Sequence, residues 1–146
     1  MMRAKPGVSW ITKLRPDQEP KVVPDDRGGG TLLIPTPLLV AEELRRVRRG
    51  QLITPVKLRE RLATRFGTDR TCPLTTGIFL SIVAGAAEEQ IAAGKRPVAP
   101  YWRVVDERGR LNPKFPPGID RQAMHLRREG HVVQRSKGSD RLEVVD

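Results

Sequence analysis

Apolar residues recur along the middle of this chain at helical spacing. Leu58, Leu62 and Phe66 stand at i, i+4 and i+8, with Lys57, Arg59, Arg61 and Arg65 between them, which predicts an amphipathic helix. Thr54 precedes it as an N-cap, Pro55 takes the first helical position and Gly67 follows its end. The preceding stretch repeats the device: Thr36 caps, Pro37 follows, Leu39, Val40 and Leu44 turn inward, and Gly50 stops the helix. Its last turns then hold Arg45, Arg46, Arg48 and Arg49, where cations suit the negative end of the helix dipole and remain compatible with phosphate contact. After a turn at Gly67-Thr68-Asp69, a third helix runs from about Leu74 to Ala92. It is strongly apolar through Ile78, Phe79, Leu80, Ile82 and Val83 and then small through Ala84, Gly85, Ala86 and Ala87, so it is expected to be mostly buried.

Strand signals are shorter. Thr31 to Ile34 is one candidate. Trp102 to Val105 and Arg110-Leu111 flank the turn signal Asp106-Glu107-Arg108-Gly109 and read as a hairpin, or wing. Asp120 can cap a fourth helix that ends at Gly130, and His131 to Arg135 with Arg141 to Val145 make a terminal hairpin about Lys137-Gly138-Ser139. Helix, helix, helix, wing, helix is the order of a winged-helix domain. The expected fold is therefore mainly α with a small β component: an irregular arm with a short strand over 1–35, a winged-helix (helix-turn-helix plus wing) domain over 36–133, and a hairpin completing it over 134–146. In the arm, which is rich in Pro, Gly and charge, Trp10 and Leu14 have the spacing to pin it to the core.

Composition narrows the function. At 146 residues the chain is most simply one domain. No apolar run approaches the ~20 residues of a membrane span, and Met1 to Arg15 lacks the apolar stretch of a signal peptide, so a cytoplasmic location and no membrane partner are expected. A single cysteine, Cys72, excludes an intrachain disulfide, and Cys72, His125 and His131 have no ligand-like spacing, so neither metal nor other cofactor is expected. The net charge of +10 draws a protein toward polyanions. Arginine bias in a GC-rich genome would also raise it, but the cations cluster: 41–70 hold nine basic residues against four acidic ones, and 95–110 five against two. Clustering favours a nucleic-acid partner.

The chemistry-bearing stretch is Pro100-Tyr101-Trp102-Arg103-Val104-Val105, followed by Gly109-Arg110-Leu111, Gln122 and Glu129-Gly130. It resembles the active-site segment of the O6-alkylguanine-DNA alkyltransferases, in which Pro-Cys-His-Arg-Val-Val precedes a Gly-Arg-Leu-like turn and a helix ending in Glu-Gly. The likeness covers roughly 38–133 and includes Gly50-Gln51-Leu52-Ile53-Thr54 before the helix-turn-helix. Tyr101 takes the place of the family's nucleophilic cysteine and Trp102 that of its histidine, so the resemblance is to the alkyltransferase-like branch, which recognises alkylated DNA without repairing it. A phenol with pKa near 10 cannot replace a thiolate at neutral pH. Glu129 matches the family glutamate, but with no histidine to orient it is expected to serve only as a charge near a helix end.

The resemblance implies duplex DNA, including O6-alkylguanine-containing duplex, as the partner, with a repair protein as a further candidate. Tyr101, Trp102 and Arg103 are then base-pocket candidates, although both aromatics would also serve as core fillers. Arg59, Arg61, Arg65, Thr75, Thr76 and Ser81 are candidates for the DNA backbone. The family tyrosine that helps rotate the nucleotide corresponds to Pro55. The family arginine that enters the duplex has Ser81 as its nearest match, since 74–93 contain no Arg or Lys. Hydroxyls and free N–H groups over Thr71 to Gly77 can bind an anion at a helix N-terminus, but capping without a ligand is the simpler role. Cys72 there is more simply a small buried hydrophobe than a catalytic thiol. The leading reading is a non-enzymatic DNA-binding protein. A general nucleic-acid module, or a protein-interaction module using the apolar helix, is the alternative.

Overall fold

The computed structural model describes residues 9–146, so the earliest part of the expected arm lies outside the described residues. Lys21–Pro24 (β1) and Thr31–Ile34 (β2) pair antiparallel, and Arg70–Thr71 (β3) adds to β2 in parallel, with Leu33 opposite Thr71. Over residues 21–34 the arm is thus a paired hairpin and not irregular. Asp25 closes the β1–β2 turn by accepting from the N–H groups of Arg27 and Gly28, while Gly29 and Gly30 supply the positive φ the turn demands. The Asp25 carboxylate also takes the Arg70 Nε–H at 2.6 Å, and Asp69 accepts from Thr31 N–H and Oγ–H. Nothing local to Lys21–Pro24 beyond two valines marks a strand. Pairing with β2 makes it one.

Four α-helices follow from capping and apolar spacing. Pro37–Leu44 (α1) and Pro55–Phe66 (α2) start as expected, with Thr36 Oγ1 accepting from Leu39 N–H and Thr54 Oγ1 from Lys57 N–H. Gly67 ends α2 in the left-handed conformation. However, α1 stops at Leu44 instead of running to Gly50. Arg46 and Val47 close tight turns onto Glu43 and Leu44, which swings the Val47 side chain into the core. Arg46, Arg48 and Arg49 therefore sit on a loop, and the dipole rationale for them falls.

Pro73–Ala92 (α3) is buried along its carboxyl half through Leu80, Val83, Ala84, Ala86 and Ala87, but its first turns expose Leu74 and Ile78. The expectation of a mostly buried helix holds only past Phe79. The 3-10 turn Ile11–Leu14 lies across α3, with Leu14 buried. Trp10 packs so closely on Gly85 that a Cβ there would strike the indole. Glu89 secures this contact by accepting from Ser9 Oγ and the N–H groups of Trp10 and Ile11. Ile119–Arg128 (α4) is capped by Gly118, with Asp120 in its first turn instead of at the cap. The terminal hairpin forms from Val133–Arg135 (β4) and Leu142–Val144 (β5).

The expected wing takes another form. Tyr101–Arg103 is a 3-10 turn, not a strand. The limb after it binds backward, Val105 N–H donating to Ile53 C=O, and the limb after Gly109 binds forward, Leu111 N–H donating to Leu142 C=O. Asp106 N–H still donates to Arg110 C=O across the loop. Each limb is claimed by a different neighbour because Val104, Val105 and Leu111 all turn inward. Among the described residues the result is a mixed domain of four α-helices, a three-stranded sheet and a carboxy-terminal hairpin.

Candidate nucleic-acid interface

α2 and α3, joined by the β3 turn, are the two helices over which the sequence predicts a helix-turn-helix. On α2, Lys57 and Arg61 are one turn apart and exposed. They line one groove of about 530 Å³ with Arg108 and a neighbouring one of about 700 Å³ with Arg46. Glu60 and Asp69 on the second groove, and Asp106, Glu107 and Asp146 on the first, temper this field. Lys57 meets Glu60 only at 3.7 Å with both side chains exposed, a pair of little energetic weight. Arg59 is half-buried and shares a smaller cleft with Val56, Arg70 and Pro73, at the start of α3.

Arg65 is different. Its guanidinium donates to Glu43 Oε1 at 2.9 Å and Glu42 Oε1 at 2.8 Å, and the Glu43 side chain is only 3% exposed. The Glu43 and Glu42 hydrogen bonds hold the guanidinium even more firmly protonated than usual. Arg65 is a clamp between α1 and α2, already committed and unfit for phosphate.

The hydroxyl candidates also divide. Thr76 is fully buried and donates to Cys72 C=O at 2.7 Å, the back-bond typical of a threonine inside a helix, so it faces no DNA. Thr75 is half-buried with its Oγ1 turned inside, and Ser81 is half-buried. The exposed face of α3 instead carries Leu74 (72% exposed), Gly77 and Ile78 (49%). Beside them Cys72 has its thiol pKa lowered: burial raises it, but Thr75 Oγ, the N–H groups of Thr75 and Leu74, and Arg70 outweigh that.

The segment at the family's active-site position is packed solid. Tyr101 has no exposed surface, and its hydroxyl donates to Glu88 Oε2 at 2.6 Å. Its ring meets Trp102, Phe115 and His125 edge-on at 5.4, 5.8 and 6.2 Å, while Trp102 stacks on His125 at 4.0 Å. Burial first, then Glu88, drives the phenol pKa far upward, so phenolate is inaccessible. Glu88 also takes His125 Nε2 at 2.8 Å and Arg121 Nη2 at 2.7 Å. Burial raises the Glu88 pKa, yet the hydrogen bonds from Arg121, Tyr101 and His125 bring it below the usual carboxylate range.

Arg103 forms a two-pronged pair with Glu129 (Nε–Oε1 2.9 Å, Nη2–Oε2 2.6 Å), and its Nη1 donates to Val47 C=O. It is structural and not phosphate-facing. Trp102 Nε1–H donates to the same Glu129 at 3.0 Å. Glu129 is therefore far more than a charge near a helix end. Gln122 finishes the lock by donating to Trp102 and Val104 C=O. As folded, Tyr101, Trp102 and Arg103 are brought together, but as core, with no open pocket over the tyrosine ring. Glu88 stands outside the motifs of the sequence. Its only signal was a pair of glutamates closing an otherwise apolar helix.

No family model matches the chain, and no curated protein matches it. A solved structure does. The fold is similar to that of S. pombe Atl1. That protein was solved in complex with damaged DNA containing O6-carboxymethylguanine, and the match has a TM-score of 0.50 over 73% of this chain and 84% of Atl1. At 17% identity the likeness to Atl1 concerns the fold, and the roles of side chains rest on the geometry above. No helix among the described residues is long and apolar enough to cross a membrane.

Proposed function

We propose that this chain is a non-enzymatic DNA-binding protein that grips duplex DNA through α2 and the first turns of α3. The observation that carries this is a helix-turn-helix on an Atl1-like fold whose α2 presents exposed Lys57 and Arg61, with Arg59 beside the start of α3. Phosphate contact by such cations releases counterions, so affinity must fall steeply with salt. Alkyl transfer is absent from this reading. The position matching the family nucleophile holds a phenol whose pKa burial and Glu88 push far upward, and Cys72 lies on a different element, at the start of α3.

A second reading, recognition of O6-alkylguanine, is favoured by the position of Tyr101 in the motif and by the damaged DNA bound to Atl1. It requires Tyr101 to leave Glu88 and open the aromatic cluster. Matched duplexes with and without one O6-methylguanine, titrated at two salt concentrations, test both readings. Equal, salt-sensitive affinity supports plain duplex binding, and tighter binding of the modified duplex supports the second reading. Absence of binding to either duplex at low salt refutes both.

A further inference from the structure

We infer that the domain carries a second phosphate-binding face, at the carboxyl end of α3, through which one chain holds two duplexes at once. The inference rests on the duplex-binding reading and adds a second nucleic-acid segment to it. Hydrogen bonds around the last turns of α3 place the face. Val98 N–H donates to Gln90 Oε1 at 2.6 Å, and Arg45 Nη1 donates to Val98 C=O at 2.9 Å. Further along the same loop, Arg49 Nη2 donates at 2.6 Å to the carbonyl of Arg128, the last residue of α4. Exposed Arg48, Lys95, Arg96 and the Arg128 side chain complete the patch. α3 has 20 residues. At ~1.5 Å per residue it sets this face about 30 Å from the amino-terminal turn beside Arg59.

These arginines are held but not neutralised. Each carbonyl bond spends one guanidinium donor and leaves the other N–H groups for an anion. Among the described residues none of the six cations joins an ion pair. The carboxylates nearest them in the chain are committed elsewhere: Glu42 and Glu43 to Arg65, Glu88 to Arg121 and His125, Glu89 to the Trp10 turn, and Glu129 to Arg103. The end of α1 divides the two faces, since Arg46 lines the α2 groove while Arg45 turns to Val98. Protein interfaces centre on apolar or aromatic anchors. Neither 45–50 nor 94–98 exposes a large apolar side chain, which favours a phosphate backbone over a protein as the occupant.

The test mixes the full chain at low salt with two short plain duplexes, one carrying a donor dye and the other an acceptor. Wild type should bring them together, read as energy transfer that disappears at high salt. Lys95→Glu/Arg96→Glu, at exposed positions, and Arg45→Gln/Arg49→Gln should each abolish the transfer. Their affinity for a single duplex should stay within about twofold of wild type. Arg135→Glu/Lys137→Glu makes the same charge change as the first variant on the exposed terminal hairpin, and should keep the transfer. Circular dichroism checks the fold of each variant. Single-duplex binding by wild type without transfer, transfer that survives Lys95→Glu/Arg96→Glu, or equal loss in the hairpin variant overturns the second face and leaves duplex binding standing. Failure of wild type to bind any duplex at low salt overturns both and leaves the cations to an acidic protein.

Discussion

The indole N–H of Trp102 donates to Glu129 Oε2 at 3.0 Å, across 27 positions of sequence. The motif resembled in this region carries a histidine at the Trp102 position and a glutamate at the Glu129 position. Tryptophan keeps the donor toward the glutamate and replaces the titratable ring with one that cannot exchange a proton. Arg103 adds one bond to each oxygen of Glu129. In this chain the arrangement is a static brace.

Removing the brace should unfold the domain readily. Glu129→Ala leaves the Arg103 guanidinium, 13% exposed, with only the Val47 carbonyl as partner. The expected loss is about 3–5 kcal/mol, read from urea unfolding. A loss below ~1 kcal/mol would mean the pair is solvated.

Arg65 and Arg61 should separate stability from binding. Arg65→Ala strands the buried Glu43 carboxylate and should lower stability by about 2–3 kcal/mol, since Arg65 is partly exposed. Arg61→Ala should leave unfolding unchanged and reduce the salt slope of DNA binding by about one contact. Chemical denaturation and salt titration of both variants check this.

Acid should destabilise the fold in two stages. The His125 pKa is lowered, because burial outweighs the pull of Glu88, so its stabilising effect is complete above the unfolded value of ~6.5 and is lost as pH falls from there toward the folded pKa. Glu88 and Glu129 also have lowered pKa values: burial opposes ionisation, but their donors prevail. Their contribution is present above the unfolded value of ~4.3 and disappears as pH falls through the folded pKa. Urea midpoints measured from pH 8 to 3 should show both limbs, and Glu129→Gln should flatten the lower one.

Gly85→Ala should loosen the arm. Helix propensity favours Ala by about 1 kcal/mol, but the added methyl meets the Trp10 ring, and overpacking of this kind typically costs 1–3 kcal/mol. Net destabilisation with increased proteolysis before Leu14 is expected. A stabilised variant would show that Trp10 moves aside at no cost.

Tyr101→Phe removes only the hydroxyl. Losing a hydrogen bond to a carboxylate should cost about 1.5–3 kcal/mol while leaving plain-duplex affinity unchanged, as measured by denaturation and titration.

The helices were legible because their signals are local. Thr54, Pro55 and Gly67 fix α2 without reference to the rest of the chain. The β1 strand was not, since two valines become a strand only opposite Leu32 and Leu33. Likewise, the importance of Tyr101 to Arg103 could be read from the motif. That these side chains are sealed could not, because the seal is Glu88, Phe115 and His125, brought in from other elements.

The pairing of β3 with β2 places a sheet strand inside the turn between α2 and α3. Cys72 N–H, at the very start of α3, donates to Leu33 C=O, and Arg70 reaches back to Asp25. The angle between α2 and α3 is consequently held by a splint encoded some forty residues upstream. Such a motif cannot be lifted out: a graft of 54–92 alone would leave its turn unsupported. Nor will that turn accept an inserted residue, which would slip the two-residue register of β3 and rotate α3 against α2. The stretch before α1 is thus the part that sets how the two helices meet each other.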